Sequence, residues 1–137
     1  MKKLLPTLLA LLLFCLALPC ASAADVTPSP QELSVDGTDA DCDKYNIDGS
    51  NYFKLRDLAY LLSKSDSRFS VAFDAESNAV TVVPGGDYVP VGGELERGKD
   101  LSKTAVASKQ SVLINGEAVE GISVYNIGGN NYFKLRD

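Results

Sequence analysis

The chain has 137 residues, carries more acidic than basic side chains and contains neither histidine nor tryptophan. Its 13 lysines and arginines stand against 18 aspartates and glutamates, which gives a net charge of −5 at pH 7. A surface of that sign repels the phosphate backbone of nucleic acids, so we expect no nucleic-acid partner.

Residues 1–23 have the pattern of a secretory signal peptide. A basic start is followed by the apolar run Leu8–Leu18 and then by small residues of the kind that precede a cleavage site. An uncleaved membrane anchor is one alternative, but the run is shorter than the roughly 20 residues of a spanning helix. An acylated Cys20 is a second alternative, although Pro19 stands where a lipoprotein signal has a small residue. We expect cleavage after Ala23 and a mature chain that is secreted or held at the cell surface, with no membrane span.

Removal of this leader leaves Cys42 as the one cysteine and lowers the net charge to about −7. No internal disulfide can then form in the mature chain. Three interpretations of Cys42 stay open: a buried small apolar residue, a free thiol, or half of an intermolecular disulfide.

The first part of the mature chain is predicted to contain an extended lead-in and one hairpin. Residues 24–31 include two prolines and suit the lead-in. A first domain over residues 32–91 then begins with the strand Leu33–Val35, and Asp36-Gly37 has the composition of a hairpin turn. We expect residues 42–47 to be the second strand of that hairpin and residues 48–51 to be a turn.

A helix is predicted next, because apolar residues recur at helical spacing. Leu55, Leu58, Ala59 and Leu62 follow the i, i+3, i+4, i+7 pattern, which indicates a helix from about Lys54 to Ser63. Alternating strands at residues 69–73 and 79–83 follow, and residues 88–91 are compatible with an edge strand. The predicted fold class is α+β: a β-β-α-β-β unit whose antiparallel sheet twists around one helix and buries the leucine stripe.

An internal repeat dominates the sequence. Residues Tyr45–Asp57 return as Tyr125–Asp137, with 11 of 13 positions identical at an offset of 80. The strand Leu33–Val35 and its turn Asp36-Gly37 return as Val112–Ile114 and Asn115-Gly116 at an offset of 79. Residues 92–109, rich in glycine, charge and small polar side chains, are predicted to be a flexible, protease-sensitive linker between the two copies.

The second copy, residues 110–137, stops before any counterpart of residues 58–83. We therefore expect the complete protein to continue beyond Asp137. A hairpin and the start of a helix cannot bury their own apolar residues, so this segment needs a partner surface. In the complete protein that surface would be the missing helix and last two strands of the second copy. Without them we expect the segment to be mobile, or to borrow an edge of the first domain or of a neighbouring molecule, so self-association through the incomplete copy is a further expectation.

The motif Asn46–Ala59, continued by Val71–Asp74 and Ala79–Val82, resembles the copper amine oxidase N-terminal-like domain, also called the stalk domain. Leu55 and Arg56 match the family pattern, whereas Lys54 stands where the family usually has proline. The resemblance covers most of residues 33–83 and implies a five-stranded antiparallel sheet around a helix. It does not imply oxidase activity, since in the oxidases this domain is a non-catalytic projection.

No catalytic, cofactor-binding or metal residue is assigned. The chain lacks the histidines that hold copper in an amine oxidase. Such an enzyme also needs a tyrosine that is converted to a quinone within an Asn-Tyr-Asp/Glu sequence, and Asn51-Tyr52-Phe53 shares only the first two of those residues. The triplet Asp39, Asp41, Asp43 opens like a calcium loop, but the glycine and the closing glutamate of such a loop are missing. We therefore predict a solvated acidic loop, no cofactor and no enzymatic activity.

Two recurring residue types leave a choice between binding and structure. Arg56 and Arg136 could bind an anionic ligand or clamp strand-end carbonyls, and the structural role is favoured. The tyrosines could stack on a cell-wall glycan, or their rings could pack while their hydroxyls stay in water. Packing is favoured because four of the six belong to the repeat, and tryptophan is absent. The tyrosines are Tyr45, Tyr52, Tyr60, Tyr88, Tyr125 and Tyr132.

The preferred functional hypothesis is a secreted, non-enzymatic stalk or interaction module of a bacterial envelope or extracellular protein. It would space or present other domains and contact a protein or an envelope component. The first alternative is an accessory domain of a secreted enzyme whose catalytic part lies beyond residue 137. The second alternative is a calcium-binding or cell-wall-glycan-binding module.

Overall fold

The computed structural model describes residues 24–136, which are mostly sheet with one helix, as expected of an α+β fold. The predicted signal peptide lies outside the described residues. The helix α1 spans Leu55–Leu61. The strands are β1 (Val26–Pro28), β2 (Leu33–Val35), β3 (Thr38–Ala40), β4 (Lys44–Ile47), β5 (Ser50–Lys54), β6 (Phe69–Asp74), β7 (Ala79–Pro84), β8 (Val106–Ala107), β9 (Ser111–Ile114), β10 (Glu117–Ala118), β11 (Val124–Ile127) and β12 (Asn130–Lys134).

The two halves of the sequence repeat form hairpins of identical register. In β4–β5, Tyr45 lies opposite Tyr52, and in β11–β12, Tyr125 lies opposite Tyr132. Each hairpin closes through a two-residue turn whose residues both have positive φ, and such turns match the twist of paired strands. These turns are Asp48-Gly49 and Gly128-Gly129.

The hairpins join edge to edge to make one antiparallel six-stranded sheet, ordered β1-β4-β5-β12-β11-β8. At the junction Phe53 lies opposite its own repeat equivalent, Phe133. Lys54 lies opposite Tyr132, and Tyr52 lies opposite Lys134. The junction is therefore self-complementary, like the interface of a two-fold symmetric dimer.

The outer strands of this sheet occupy equivalent places in the two halves. Thr27 of β1 lies opposite Asn46, and Val106 of β8 lies opposite Asn126. Strand β1 lies in the predicted lead-in 24–31, and β8 lies in the predicted linker 92–109. Both segments thus supply edge strands of the sheet. Each pairs with a strand, β4 or β11, whose outer backbone groups would otherwise need hydrogen-bond partners.

A second sheet of four strands, ordered β10-β9-β7-β6, also joins the halves of the chain. The hairpin β6–β7 follows the helix, and β9 adds to β7 in parallel, with Val80 opposite Val112. The second repeat therefore lies on two strand edges of the first, β5 and β7. Residues 88–91, compatible with an edge strand by sequence, form no strand in the described chain.

The first hairpin has a different partner from the one predicted. Strand β2 pairs with β3, not with residues 42–47, because the two-residue turn Asp36-Gly37 places Val35 directly opposite Thr38. Residues 44–47 pair instead with β5 across the next turn. The predicted turn at residues 48–51 is two residues too long, since Ser50 and Asn51 already belong to β5.

The helix is shorter than the predicted Lys54–Ser63 and its leucine stripe is only half-buried. Ala59 is buried, whereas Leu55, Leu58 and Leu62 remain partly exposed. The helix packs against β5, β6 and β12. The helix ends where a serine hydroxyl bonds one of its last carbonyls, since Ser63 Oγ donates to the Tyr60 oxygen at 2.7 Å.

The main core is formed by residues of the six-stranded sheet and draws three buried members from the first repeat and two from the second. Ile47 and Ile127 are repeat equivalents, as are Tyr52 and Tyr132, whereas Tyr45 is buried and its equivalent Tyr125 only partly so. Partly buried side chains close its rim, including Leu101 from the predicted linker. The buried members are Tyr45, Ile47, Tyr52, Ile127 and Tyr132.

Candidate functional site

Two clefts of related construction flank the junction between the repeats. Each is lined by the Lys-Leu-Arg segment of one repeat and by the glycine turn and an asparagine of the other. The first cleft, about 200 Å³, contains residues 54–56 together with Gln110 and Asn131. The second cleft, about 450 Å³, contains residues 134–136 together with Gln31 and Asn51. The two-fold character of the junction therefore duplicates this surface.

An amide network lines each cleft and is the same in both. Asn51 Nδ2 donates to Gln31 Oε1, and Asn46 Nδ2 lies 3.4 Å from Asn51 Oδ1. Asn46 Oδ1 in turn accepts the Gly49 amide at 3.0 Å, which fixes the turn. The second repeat forms the equivalent bonds among Gln110, Asn126, Gly129 and Asn131. These amides are committed to each other, so the network holds the cleft wall in place.

Gln31 and Gln110 were not found by the sequence analysis as members of the repeat. The signal was present, since Ser29-x-Gln31 returns as Ser108-x-Gln110 at the offset of 79 that also relates the short hairpins. Two prolines near Ser29 favoured an extended lead-in instead. The repeat extends back to the outer strands of the sheet.

The two clefts differ in what covers them. Strands β6 and β7 contribute Val71, Phe73 and Val80 to the wall of the first cleft. Within residues 24–136, no strand takes the corresponding place beside the second cleft, whose wall includes Glu32 and Leu33. The wall of the second cleft thus includes the start of strand β2.

A buried ion pair lies at the start of the helix. Lys54 Nζ is 3.4 Å from Asp57 Oδ1, and the Asp57 side chain is completely buried. Asp57 Oδ1 also accepts the Leu95 amide at 3.0 Å, while Lys54 Nζ donates to the Gly93 carbonyl at 2.8 Å. Burial raises the pKa of Asp57, and the Leu95 amide and Lys54 oppose that rise. Asp57 Oδ2 has no hydrogen-bond partner among the described residues.

Arg56 lies beside Tyr88, and within residues 24–136 its side chain makes no hydrogen bond to a strand-end carbonyl of the kind the sequence suggested. The Tyr88 hydroxyl donates to Glu94 Oε1 at 2.7 Å and is also within bonding reach of the Arg56 side chain. Glu94 accepts the amides of Val91 and Gly92, at 2.7 and 2.9 Å. These bonds, that of Tyr88 foremost, lower the pKa of Glu94 to about 2. Arg56 and Tyr88 thus meet at the loop that carries Glu94.

Cys42 is buried, with 3% of its surface exposed, and no disulfide partner exists in the described chain. Burial raises the pKa of its thiol, and the negative charge of Asp57 adds to that rise while Lys44 opposes it. A thiol in this state is a poor nucleophile. Its position fits the first of the three interpretations, a small apolar core residue.

The acidic triplet does not gather around one point. Asp41 forms an ion pair with Arg97, and Asp39 lies on the exposed strand β3. Among residues 24–136, no three histidine, cysteine, aspartate or glutamate side chains are arranged to hold a metal ion. These residues instead border a cleft of about 770 Å³ between the Pro28–Leu33 segment and Arg97.

The tyrosines of the repeat pack against each other across the junction. Tyr45 meets Tyr132, and Tyr52 meets Tyr125, both edge to face. The Tyr45 hydroxyl donates to the Lys99 carbonyl at 3.3 Å and accepts the Leu101 amide at 3.1 Å. Packing with a satisfied hydroxyl therefore accounts for Tyr45, and the same bonds pin the predicted linker to the sheet.

One of the two differences within the repeat has a steric cause. A side chain at Gly128 would place its Cβ 2.5 Å from Leu101 Cδ1, whereas the equivalent Asp48 is exposed and accepts the Asp25 amide at 2.9 Å. Nothing in the structure explains the other difference, Ser50 against Asn130.

Helix α1 has seven residues, and the described chain holds no helix with the length and apolar character to cross a bilayer. Comparisons with protein-family models, with curated proteins and with solved structures found no match to this chain. The resemblance to the stalk domain therefore remains a prediction from the sequence motifs.

Proposed function

We propose that the chain is a secreted, non-enzymatic stalk or interaction module of a bacterial envelope or extracellular protein. The observation that carries this proposal is the junction at Phe53 and Phe133, where two repeats merge into one continuous sheet. A module built in this way holds its two halves at a fixed distance, which is what a spacer requires.

Three further features support the proposal. The leader pattern of residues 1–23 favours export. The polar side chains of the clefts are bonded to one another, and Cys42 has a raised pKa that suppresses its reactivity. The motifs that resemble the stalk domain include Leu55 and Arg56, and tandem stalk-like copies would account for the repeat. An accessory role beside an enzyme uses the same surfaces and is the alternative proposal.

Distance measurement between the halves tests the spacer role. Spin labels would be placed at two exposed positions, Asp66→Cys and Glu117→Cys, after Cys42→Ala removes the native thiol. A single narrow distance distribution is the expected result, because β5–β12 and β7–β9 both bind the second half to the first. A broad distribution would contradict the proposal.

Processing of the exported chain tests the location. The chain fused to a periplasmic reporter enzyme should be active outside the cytoplasm, and its mature N-terminus should be Ala24. A reporter that stays inactive with Met1 retained would contradict secretion while leaving the spacer geometry unaffected.

A further inference from the structure

The first cleft has one polar wall and one apolar wall. Its polar wall consists of side-chain amides from the second half of the chain, with Arg56 from the first half beside them. Its apolar wall comes from β6 and β7. All of the lining residues lie between positions 54 and 131, so this wall does not involve either end of the described chain.

The orientation of the amide groups in the polar wall follows from one backbone donor. The Gly129 amide donates to Asn126 Oδ1 at 3.2 Å, which turns Asn126 Nδ2 toward Asn131 Oδ1, 3.4 Å away. Asn131 Nδ2 then donates to Gln110 Oε1. Each amide must face the next with its nitrogen toward an oxygen, because two N–H groups cannot bond each other. This relay of hydrogen bonds therefore ends with Gln110 Nε2 turned away from Asn131.

The relay uses its acceptors and leaves donors over. The side-chain oxygens of Asn126, Asn131 and Gln110 each accept a bond within it. Among residues 24–136, Gln110 Nε2 and the Asn130 side chain have no hydrogen-bond partner. An amide nitrogen carries two hydrogens and accepts none, so the polar wall presents N–H groups to whatever enters the cleft.

Arg56 adds positive charge to these donors. The other cation of the lining, Lys54, is paired with the buried Asp57, whereas Arg56 forms no ion pair among the described residues. Tyr88 occupies part of its guanidinium, which has five N–H donors in all. No carboxylate belongs to the described residues that line this cleft. The cleft therefore favours a ligand that is anionic and accepts hydrogen bonds.

The apolar wall indicates that the anion has an apolar body. Phe73 is 49% exposed and Val71 is partly exposed, so neither is covered by the protein itself. The cleft volume of about 200 Å³ has room for about seven groups of the size of a water molecule. An inorganic anion would use the donors but would leave Phe73 in contact with water.

We propose that the first cleft binds a small organic carboxylate. Its two oxygens would accept from Arg56 and from Gln110 Nε2, and its apolar body would lie on Phe73 and Val71. A planar guanidinium and a planar amide suit a planar carboxylate, and bonds to an ionised acceptor are the stronger kind. The inference rests on the cleft alone and holds whether or not the chain acts as an exported spacer.

Titration of the full chain with benzoate tests the site, followed by the nuclear magnetic resonance signals of side-chain amides. Benzamide is the matched ligand, since it has the same shape and no charge. At concentrations up to about 10 mM, dissociation constants in the millimolar range are measurable. Benzoate should shift the Gln110 side-chain signal and bind at least about tenfold more tightly than benzamide, because charge-assisted bonds are roughly twice as strong.

The duplicated network supplies a matched pair of variants. Gln110→Glu keeps an oxygen for Asn131 but replaces the remaining donor by a carboxylate oxygen, so benzoate binding should weaken at least about tenfold. Gln31→Glu makes the same change in the second cleft, whose wall also contains Glu32, and should leave benzoate binding unchanged. Circular dichroism should show the same folded content for both variants.

A second pair of variants tests the apolar wall. Phe73→Ala should weaken benzoate binding several-fold, because the ring provides the surface that the apolar body covers. Tyr60→Ala removes an aromatic ring of similar exposure, 41%, that is not part of the cleft lining, and should have no effect.

A further ligand distinguishes a free carboxylic acid from the carboxyl end of a peptide. Tighter binding of N-acetylvaline than of benzoate would identify a peptide end, and the reverse order would identify a free acid. Either order supports a carboxylate site. Three outcomes would overturn the proposal: equal binding of benzoate and benzamide, benzoate binding that survives in Gln110→Glu, and signal changes confined to Gln31.

Discussion

Tyr45 of the first repeat meets Tyr132 of the second edge to face, with ring centroids 5.2 Å apart and planes at 80°. The exchanged pair, Tyr52 and Tyr125, has the same geometry at 5.5 Å and 87°. Each tyrosine of one hairpin thus packs on the non-equivalent tyrosine of the other. Reciprocal contacts of this kind make the junction a single cooperative element.

Replacing Tyr132 by alanine should destabilise both halves of the chain. Tyr132 is buried, so its loss leaves a cavity and removes the contact with Tyr45, which together should lower the free energy of unfolding by about 3–5 kcal/mol. Tyr60→Ala, at an exposed position, should change it by less than about 0.5 kcal/mol. Urea denaturation measures both, and equal effects of the two substitutions would contradict the role of the junction.

The local elements of this fold could be predicted from sequence because local chemistry determines them. Asp36-Gly37 and Asn115-Gly116 adopt the left-handed turns that these dipeptides favour, and the helix starts within one residue of the predicted position. The hairpin partners could not be predicted, because Ser50 and Asn51 have turn-like composition although they continue a strand. Leucine spacing also misled, since it identified the helix but not how deeply it is buried.

The pairing between the repeats and the cleft network could not be predicted for a different reason. Strand pairing of β5 with β12 joins residues 80 apart, and nothing in the local pattern of Phe53 states which edge it will meet. The partnership of Gln31 with Asn51 was hidden by the one-residue change of offset. The burial of Asp57 was hidden because its cover, the loop around Leu95, resembles a solvated linker in composition.

Removing one partner of the buried Lys54–Asp57 pair should lower the free energy of unfolding more than replacing both partners with apolar residues. Lys54→Met leaves the Asp57 carboxylate buried without its cation, and we expect a loss of about 3–5 kcal/mol in the free energy of unfolding. The double variant Lys54→Met/Asp57→Leu should recover all but about 1 kcal/mol, the cost of the Leu95 amide without an acceptor. Lys64→Met, at an exposed lysine, is the control. Additive losses in the double variant would argue against coupling of the pair.

The hydroxyl of Tyr45 should protect the segment around Lys99 from proteolysis. Tyr45→Phe removes the bonds to the Lys99 carbonyl and the Leu101 amide while keeping the buried ring. Trypsin should then cleave after Lys99 several-fold faster at unchanged global stability. Tyr52→Phe is the matched control, since its hydroxyl bonds Ser123 at 2.7 Å instead. Equal cleavage in both variants would show that the segment is not held by Tyr45.

The thiol of Cys42 should be unreactive until the chain unfolds. Burial both blocks access and raises its pKa, so thiolate is scarce at neutral pH. Alkylation by iodoacetamide should be slow in buffer and rapid in denaturing urea, with rates followed by mass spectrometry. Rapid alkylation of the folded chain, or recovery of a disulfide-linked dimer from non-reducing gels, would restore the other two interpretations of this residue.

Glu94 should make the stability of the chain depend on acid pH with a defined sign. Its hydrogen bonds with Tyr88, Val91 and Gly92 hold its folded pKa at about 2, below its ordinary value of 4.5. A depressed pKa stabilises the folded state above the ordinary value, and this contribution declines as the pH falls from 4.5 toward 2. The free energy of unfolding should therefore differ between the wild type and Glu94→Gln at pH 7, and that difference should shrink across this window.

Burial raises the pKa of Asp57, a shift of opposite sign, so the comparison between the two chains, rather than the slope of either, isolates Glu94. Chemical denaturation at pH 7, 4.5, 3 and 2 measures the difference. A gap that stays constant over that range would mean that Glu94 is not held by these donors in solution.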